Sequence, residues 1–358
     1  MDELGHGPDE GAATVADLAR SRRARTPSRE PPGAAAPAGT RLDDTDPADD
    51  TVPVADAGAA PLDEPDEPSR GTVYGSSLVP VRPFTSDGAD RPPMDELRVS
   101  DVDAWGRSEK LRGLARTLYD PIYRHWFRAE WEGLENVPTE GGALLVANHA
   151  AAIPSDAPVI MHGIEKELGR PVYGLAEYLF RALPVMGTLW SRSGGVPAHP
   201  DNAYRLLHDD QQLALVFPEG AKGPGKLYRD RYRLRRFGRG GFVQIAMRSG
   251  VPVVPIAVVG AEESMPIVWK SPAIARTLGL PYFPVTANQL VFGPVLGLVA
   301  YFPAKFRLRV LPPVHFDVPP DQERYSRSRV MDAADDIRNL IQDALYDMLR
   351  HRHSVWRG

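Results

Sequence analysis

The apolar run Ala143–Ala147 constrains this chain more than any other stretch, because five residues suit a strand buried inside a sheet and are too few for a buried helix. The run stops at Asn148 and His149. Pro154, Ser155 and Asp156 follow with helix-start chemistry, which predicts a helix from near Ala157. A proton-transferring histidine needs a carboxylate on its far nitrogen, to fix the tautomer and stabilise the imidazolium as it forms. Asp156 is the candidate carboxylate for His149. In one continuous helix the two side chains would sit roughly 10 Å apart along the axis. Pro154 argues instead for a bulged loop that folds the chain back, since proline disfavours the helical region for the residue before it. A strand-end histidine beside an ordinary helix cap fits the same residues.

Further apolar runs are expected to be strands at Val172 to Leu175, Leu213 to Phe217, Val251 to Gly260 and Phe306 to Val310. Helices are expected over 156 to 168, from Asp201, over Gly240 to Arg248, and over 321 to 350. In the last, Val330, Ala334, Ile337, Ile341, Leu345 and Met348 line one face. The fold class is therefore α/β, a mixed central sheet flanked by helices, over residues 96–358. Residues 1–95 are rich in Ala, Pro, Asp and Gly with almost no aromatics, and are expected to be disordered. Their first 70 residues hold 16 acids against 7 arginines. The absence of cysteine excludes thiol catalysis, disulfides and thiolate-bound zinc, and no metal site is expected. The first thirty residues lack the apolar core of a signal peptide, which makes the cytoplasmic side the default.

Two stretches point to a lipid surface. Trp105, Leu111, Leu114, Leu118, Ile122 and Trp126 recur at roughly helical spacing among basic residues, predicting an amphipathic helix broken at Pro121. Such a helix suits a membrane interface, although core packing explains the stripe equally well. Between Arg276 and Lys305 no residue is charged, yet Pro281, Pro284, Pro294 and Pro303 would leave backbone groups unsatisfied in lipid. A lip dipping into one leaflet, or a segment covering the core, fits better than a crossing helix. The expected location is the cytoplasmic face of a membrane, peripheral or monotopic.

Residues 220–226 fit the phosphate-loop pattern G-x-x-x-x-G-K, but Leu227 stands where a hydroxyl should ligate magnesium and Pro224 removes an amide from the cradle. A loop made flexible by its glycines is expected. Beyond it, Arg229, Arg231, Arg233, Arg235, Arg236 and Arg239 crowd together among Tyr228, Tyr232 and Phe237, a composition suited to phosphates or to a solvated basic face. The near-neutral remainder offers no extended basic surface, so nucleic acid is not an expected partner.

Asn148 and His149 with Asp156, the strand end Phe217, Pro218, Glu219, Gly220, and the run Val251, Pro252, Val253, Val254, Pro255 occur in the order and approximate spacing of the glycerolipid acyltransferase family. The resemblance covers roughly residues 125–315. It implies a membrane-associated enzyme that moves a fatty acyl group from coenzyme A or acyl-carrier protein to a hydroxyl, with no bound cofactor. By this resemblance His149 is the general base, Asp156 its orienting carboxylate, and Glu219 and Gly220 part of the acceptor-binding block. Asn148, Phe217, Pro218 and Lys222 are expected beside them, with Arg231, Arg233, Arg235 and Arg239 on phosphates. The chain departs from the family twice. Six residues separate His149 from Asp156 where four are common, and Gly194 to Pro200 lacks the usual Arg after an Asp, leaving Arg192 as the substitute. A lysophospholipid or another lipid alcohol is then the expected acceptor. Two rival readings are a hydrolase using Ser155 or Ser193, for which no G-x-S-x-G elbow is present, and a non-catalytic lipid-binding scaffold.

Overall fold

Burial on both faces decides which strands lie at the centre. The computed structural model describes residues 13–14, 101–176, 184–278, 283–320, 322 and 324–358. Its strands are β1 (Ala13–Thr14), β2 (Glu130–Glu132), β3 (Ala143–Ala147), β4 (Val172–Ala176), β5 (Gly195–Pro197), β6 (Leu213–Val216), β7 (Val253–Val259), β8 (Ile267–Lys270), β9 (Pro284–Thr286), β10 (Arg307–Val310) and β11 (Val314–His315). Every residue of β3 and β7 is buried, and the two run side by side in parallel. The main sheet has the order β1-β11-β7-β3-β6-β4-β5, with β10 joining β7 to β2. β3, β4, β5, β6 and β7 are mutually parallel, whereas β10 and β11 run antiparallel to β7. This is the expected mixed α/β sheet. The tail expected to be disordered lies outside the described residues, apart from β1, which pairs with β11.

Helices cover both faces. On one, Val330, Ala334, Ile337, Ile341, Leu345 and Met348 of the C-terminal helix Arg327–Arg350 are buried, joined by Val243 and Ala246 of the helix Gly241–Ser249. On the other, Val159, Ile160 and Ile164 of the helix Asp156–Leu168 pack with Tyr123, Phe127 and Phe306. Each fully buried Val, Ile, Leu or Phe among them contributes about 1.5 to 3 kcal/mol, so the strand ends in the middle of the sheet are held firmly.

Pro121 does not break the N-terminal helix. The helix Glu109–Pro121 runs on into one wider turn, Ile122–Trp126, closed by the Phe127 amide donating to the Ile122 carbonyl at 2.8 Å. The helix starts after Trp105, with Ser108 as cap accepting from the Leu111 amide. Its apolar stripe does not pack into the core: Leu114, Leu118, Ile122 and Trp126 are exposed, Leu118 to 66%.

Among the described residues, the uncharged span from Thr277 forms no long helix. β8 and β9 make a two-stranded ribbon, and the short helix Ala287–Phe292 begins with a reciprocal cap between Thr286 and Gln289. Buried Asn288 donates to the carbonyls of Ser264 and Ala300, which ties this lip to the domain. Its outward large side chains are apolar, with Leu290 72% and Val295 79% exposed. Residues 279–282 of this span lie outside the described residues. Among the described residues, no helix is long and apolar enough to cross a membrane.

Candidate functional site

Because β6, β3 and β7 are adjacent and parallel, their carboxyl ends deliver three segments to one edge: Asn148 and His149, then Phe217 to Glu219, then Gly260 to Glu263. Asn148 is bonded within the sheet. It is buried, and its side-chain amide donates to the Val258 carbonyl at 3.0 Å and accepts from the Val258 amide at 2.7 Å, stapling β3 to β7. The loop after His149 folds back through Ala151, whose φ of 71° lies in the left-handed region. That return brings His149 Nδ1 to 3.0 Å from Asp156 Oδ2.

Asp156 is the first residue of its helix and is fully buried. Its carboxylate also accepts from the Ala150 amide at 2.8 Å and the Ala157 amide at 2.7 Å. With Nδ1–H donated to this carboxylate, His149 Nε2 keeps its lone pair and is the ring position able to take a proton. The imidazole side chain is 16% exposed and lies under the Phe217 ring, centroids 4.0 Å apart and planes inclined by 18°. Tyr301 donates its hydroxyl to the Ile153 carbonyl at 3.2 Å, and burial together with the nearby Asp156 charge pushes its phenol well above the usual range. Ser155 is buried, with its hydroxyl against Ser264 Oγ at 2.9 Å, so its partner is a second serine and not His149.

Glu219 is buried and engaged with the protein's own backbone. It accepts from the His149 amide at 3.2 Å and from the Arg235 amide at 2.8 Å, and it pairs with Lys226 Nζ at 3.2 Å. Lys226 also meets Glu262 at 3.3 Å. Burial raises the Glu262 carboxyl to about 7, against the attraction of Lys226. The glycine-rich loop is consequently a packed element, contrary to the flexible loop expected from its composition. Gly223 to Lys226 are buried, and Gly223 sits directly on His149: a Cβ there would meet His149 Cβ at 2.8 Å. Pro218 and Gly220 are half-buried, Gly220 with a φ of 55°, and Lys222 is exposed on the same turn.

The arginines lie on the surface of the segment after the glycine-rich loop. Arg229, Arg231, Arg233, Arg235, Arg236 and Arg239 all reach solvent, while Tyr232, Leu234 and Phe237 turn into the core. Arg192 is half-buried at the end of the helix Pro184–Arg192.

Sequence reasoning passed over Gly223, Lys226 and Glu262, and also an ionic clamp between two helices. Glu165 of the Asp156 helix is buried and accepts from Arg107 and Arg112, the latter through Nε at 3.0 Å. About two turns further along the N-terminal helix, Asp120 pairs with Lys166 at 2.5 Å and His162 at 3.2 Å. A lone arginine inside a helical stripe gives no sign of burial without its partner, which here lies 53 residues away.

A family model described as Acyltransferase matches residues 128–259. An uncharacterized protein of Mycobacterium tuberculosis is 38% identical over 260 residues, 72% of each chain. A bovine protein described as a DGAT1/2-independent enzyme synthesizing storage lipids is 24% identical over 253 residues, 68% of this chain and 71% of its own. Among solved structures, the 1-acyl-sn-glycerophosphate (LPA) acyltransferase PlsC of Thermotoga maritima is similar with a TM-score of 0.42 and 18% identity, over 67% of this chain and 82% of that one.

Proposed function

Because the chain belongs to the acyltransferase family, we propose that it moves a fatty acyl group from a thioester of coenzyme A or acyl-carrier protein to the hydroxyl of a lysophospholipid or other lipid alcohol. The observation that carries the reading is the 3.0 Å contact between His149 Nδ1 and the buried Asp156 carboxylate at the mouth of the sheet. A lipid hydroxyl has too high a pKa to attack a thioester unaided. His149 Nε2 takes its proton as the oxygen bonds to the thioester carbonyl carbon. Collapse of the tetrahedral intermediate breaks the carbon–sulfur bond, and the imidazolium returns the proton to the departing thiolate. Asp156 holds the Nδ1–H tautomer and stabilises the imidazolium. The products are an ester and a free thiol, and the cycle requires no covalent enzyme intermediate.

Lipid acceptors are met at a membrane, and the exposed apolar side chains supply a surface for that. Trp126 Nε1 donates to the Tyr301 carbonyl at 3.1 Å, so the helix carrying Leu114 and Leu118 adjoins the lip carrying Leu290 and Val295. Tyr301 in turn bonds Ile153 of the His149 loop. We place the enzyme on the cytoplasmic leaflet as a peripheral or monotopic protein with this surface in the lipid.

The test is thiol release from an acyl-coenzyme A with and without a lysophospholipid. Release that requires acceptor, and falls at least ~100-fold in a folded His149→Ala protein, is the expected result. Near-normal turnover in that variant refutes the mechanism. Binding of both lipids with no release at all favours the scaffold reading.

A further inference from the structure

A cavity of about 400 Å³ lies between the segment around Tyr228 to Arg233 and the end of the C-terminal helix, and neither His149, Asp156 nor Phe217 lines it. Arg229, Arg231, Arg233 and Arg352 are among the residues that line it, with Glu263 as the acidic residue beside them. That carboxylate is already neutralised. It accepts from Arg352 Nη1 at 2.7 Å and from the Tyr232 hydroxyl. Arg352 is almost wholly buried, and its Nε has no hydrogen-bond partner. The Arg352–Glu263 pair cancels, so the excess positive charge of the cavity rests on Arg229, Arg231 and Arg233.

The alternation of the segment explains the arrangement. Tyr232 and Leu234 point inward, which turns Arg231 and Arg233 outward. Arg231 is held in place by stacking on Tyr228, 4.5 Å from the ring centroid, and by its own donation to the Tyr228 carbonyl. The remaining wall includes Tyr346 and Leu349, a surface for a flat or apolar part of a ligand. Arg235, Arg236 and Arg239 lie outside the lining, and Arg235 faces Asp230 at 3.8 Å.

We propose that this cavity is a phosphate-ester site separate from the acyl-transfer centre. Guanidinium groups grip phosphate oxygens in pairs, and several of them on one wall suit a ligand with more than one negative charge. Two sources share that chemistry: the phosphorylated nucleotide end of an acyl donor, and the phosphate headgroup of an anionic lipid. The choice of ligands rests on the acyl-transfer reading, but binding needs no turnover. An inactive protein that still binds through these arginines sinks that reading and leaves the site standing.

The experiment uses the full chain and its Arg231→Ala, Arg233→Ala and Arg236→Ala variants, the last being an exposed arginine outside the cavity. Calorimetric titration with coenzyme A and with dephospho-coenzyme A reads the nucleotide source. Flotation with phosphatidate-containing and pure phosphatidylcholine vesicles reads the lipid source. The expected result is binding to one probe that weakens roughly ten-fold or more in Arg231→Ala and Arg233→Ala, while Arg236→Ala stays within about two-fold. Loss on coenzyme A alone assigns the nucleotide end, and loss on phosphatidate vesicles alone assigns the headgroup. No binding to either probe, or an equal effect of all three substitutions, overturns the site.

Discussion

Gly223→Ala tests whether the glycine-rich loop serves His149. Gly223 has φ −65° and ψ −67°, angles open to any residue, so alanine brings no backbone penalty and the added methyl acts by contact alone. That methyl would lie 2.8 Å from His149 Cβ, 2.9 Å from the His149 carbonyl oxygen and 3.1 Å from Glu219 Cβ. Carbon atoms settle at about 3.5 to 4.0 Å, so roughly 1 Å must be found. Asp156 and Glu219 are buried and bound on several sides, which leaves the His149 loop to give way. Overpacking of this kind costs about 1 to 3 kcal/mol, a fall in Tm of roughly 2 to 12 °C for a domain of this size. A base displaced by about 1 Å loses on the order of 100-fold in rate. Thiol release with saturating donor and acceptor should therefore show kcat reduced ~100-fold, with the KM for each substrate changed little. Gly113→Ala is the control, since a methyl there meets nothing within 4 Å, and it should leave kcat alone. A Gly223→Ala protein with kcat within two-fold of the parent and an unchanged Tm refutes the reasoning.

Asp156→Asn should lower both Tm and kcat, because an amide NH2 must then face one of the Ala150, Ala157 or His149 donors, at a cost of about 1 to 3 kcal/mol; lost stability with full turnover would reduce Asp156 to a helix start. The Glu262 carboxyl, raised from 4.5 to about 7 chiefly by burial, binds its proton more tightly folded than unfolded, so its contribution is fully present below about pH 4.5 and lost as pH rises through 7. Urea midpoints of the parent should fall across that window more steeply than those of Glu262→Gln, and parallel profiles would exclude Glu262 as the source. Leu118→Asp and Leu290→Asp alter exposed residues, so each should leave Tm within about 2 °C and weaken vesicle flotation roughly ten-fold or more, whereas unchanged flotation would remove these surfaces from the lipid contact.

The sheet and the histidine were legible because local patterns carry them. The apolar runs at 143–147, 213–217 and 251–260 became β3, β6 and the shorter β7, the helix Asp156–Leu168 began within a residue of its expected start, and the stripe expected on the C-terminal helix is buried. What stayed hidden depends on pairings between distant residues. Asn148 reads as a polar strand end until Val258, 110 residues on, takes its amide. Glu219 reads as a ligand-facing acid until two backbone amides and Lys226 occupy it. Composition misled at residues 220–226, where glycines suggested freedom and instead permit close approach. The arginine-rich segment showed its charge in the sequence, but not the helix end that closes the cavity beside it.

The two carboxylates around His149 make different contacts, and the difference explains how a loop of six residues can hold the His149–Asp156 pair. Asp156 acts on the ring: it fixes Nδ1 and, through the Ala150 and Ala157 amides, ties the loop to the helix start. Glu219 acts on the main chain, accepting the His149 amide and, on its other oxygen, the Arg235 amide. The backbone and the imidazole of His149 are thus each anchored before the six intervening residues matter, and Phe217 above the ring with Gly223 against its Cβ restricts what motion is left. Extra length between His149 and Asp156 costs loop-closure entropy that grows only as the logarithm of length, a few tenths of a kcal/mol for two residues. A single charge-assisted hydrogen bond to a buried carboxylate contributes about 1.5 to 3 kcal/mol, so the anchors outweigh the insertion. The spacing between the two residues can therefore vary without loss of the pair, provided the loop returns and Glu219 stays buried with its cation.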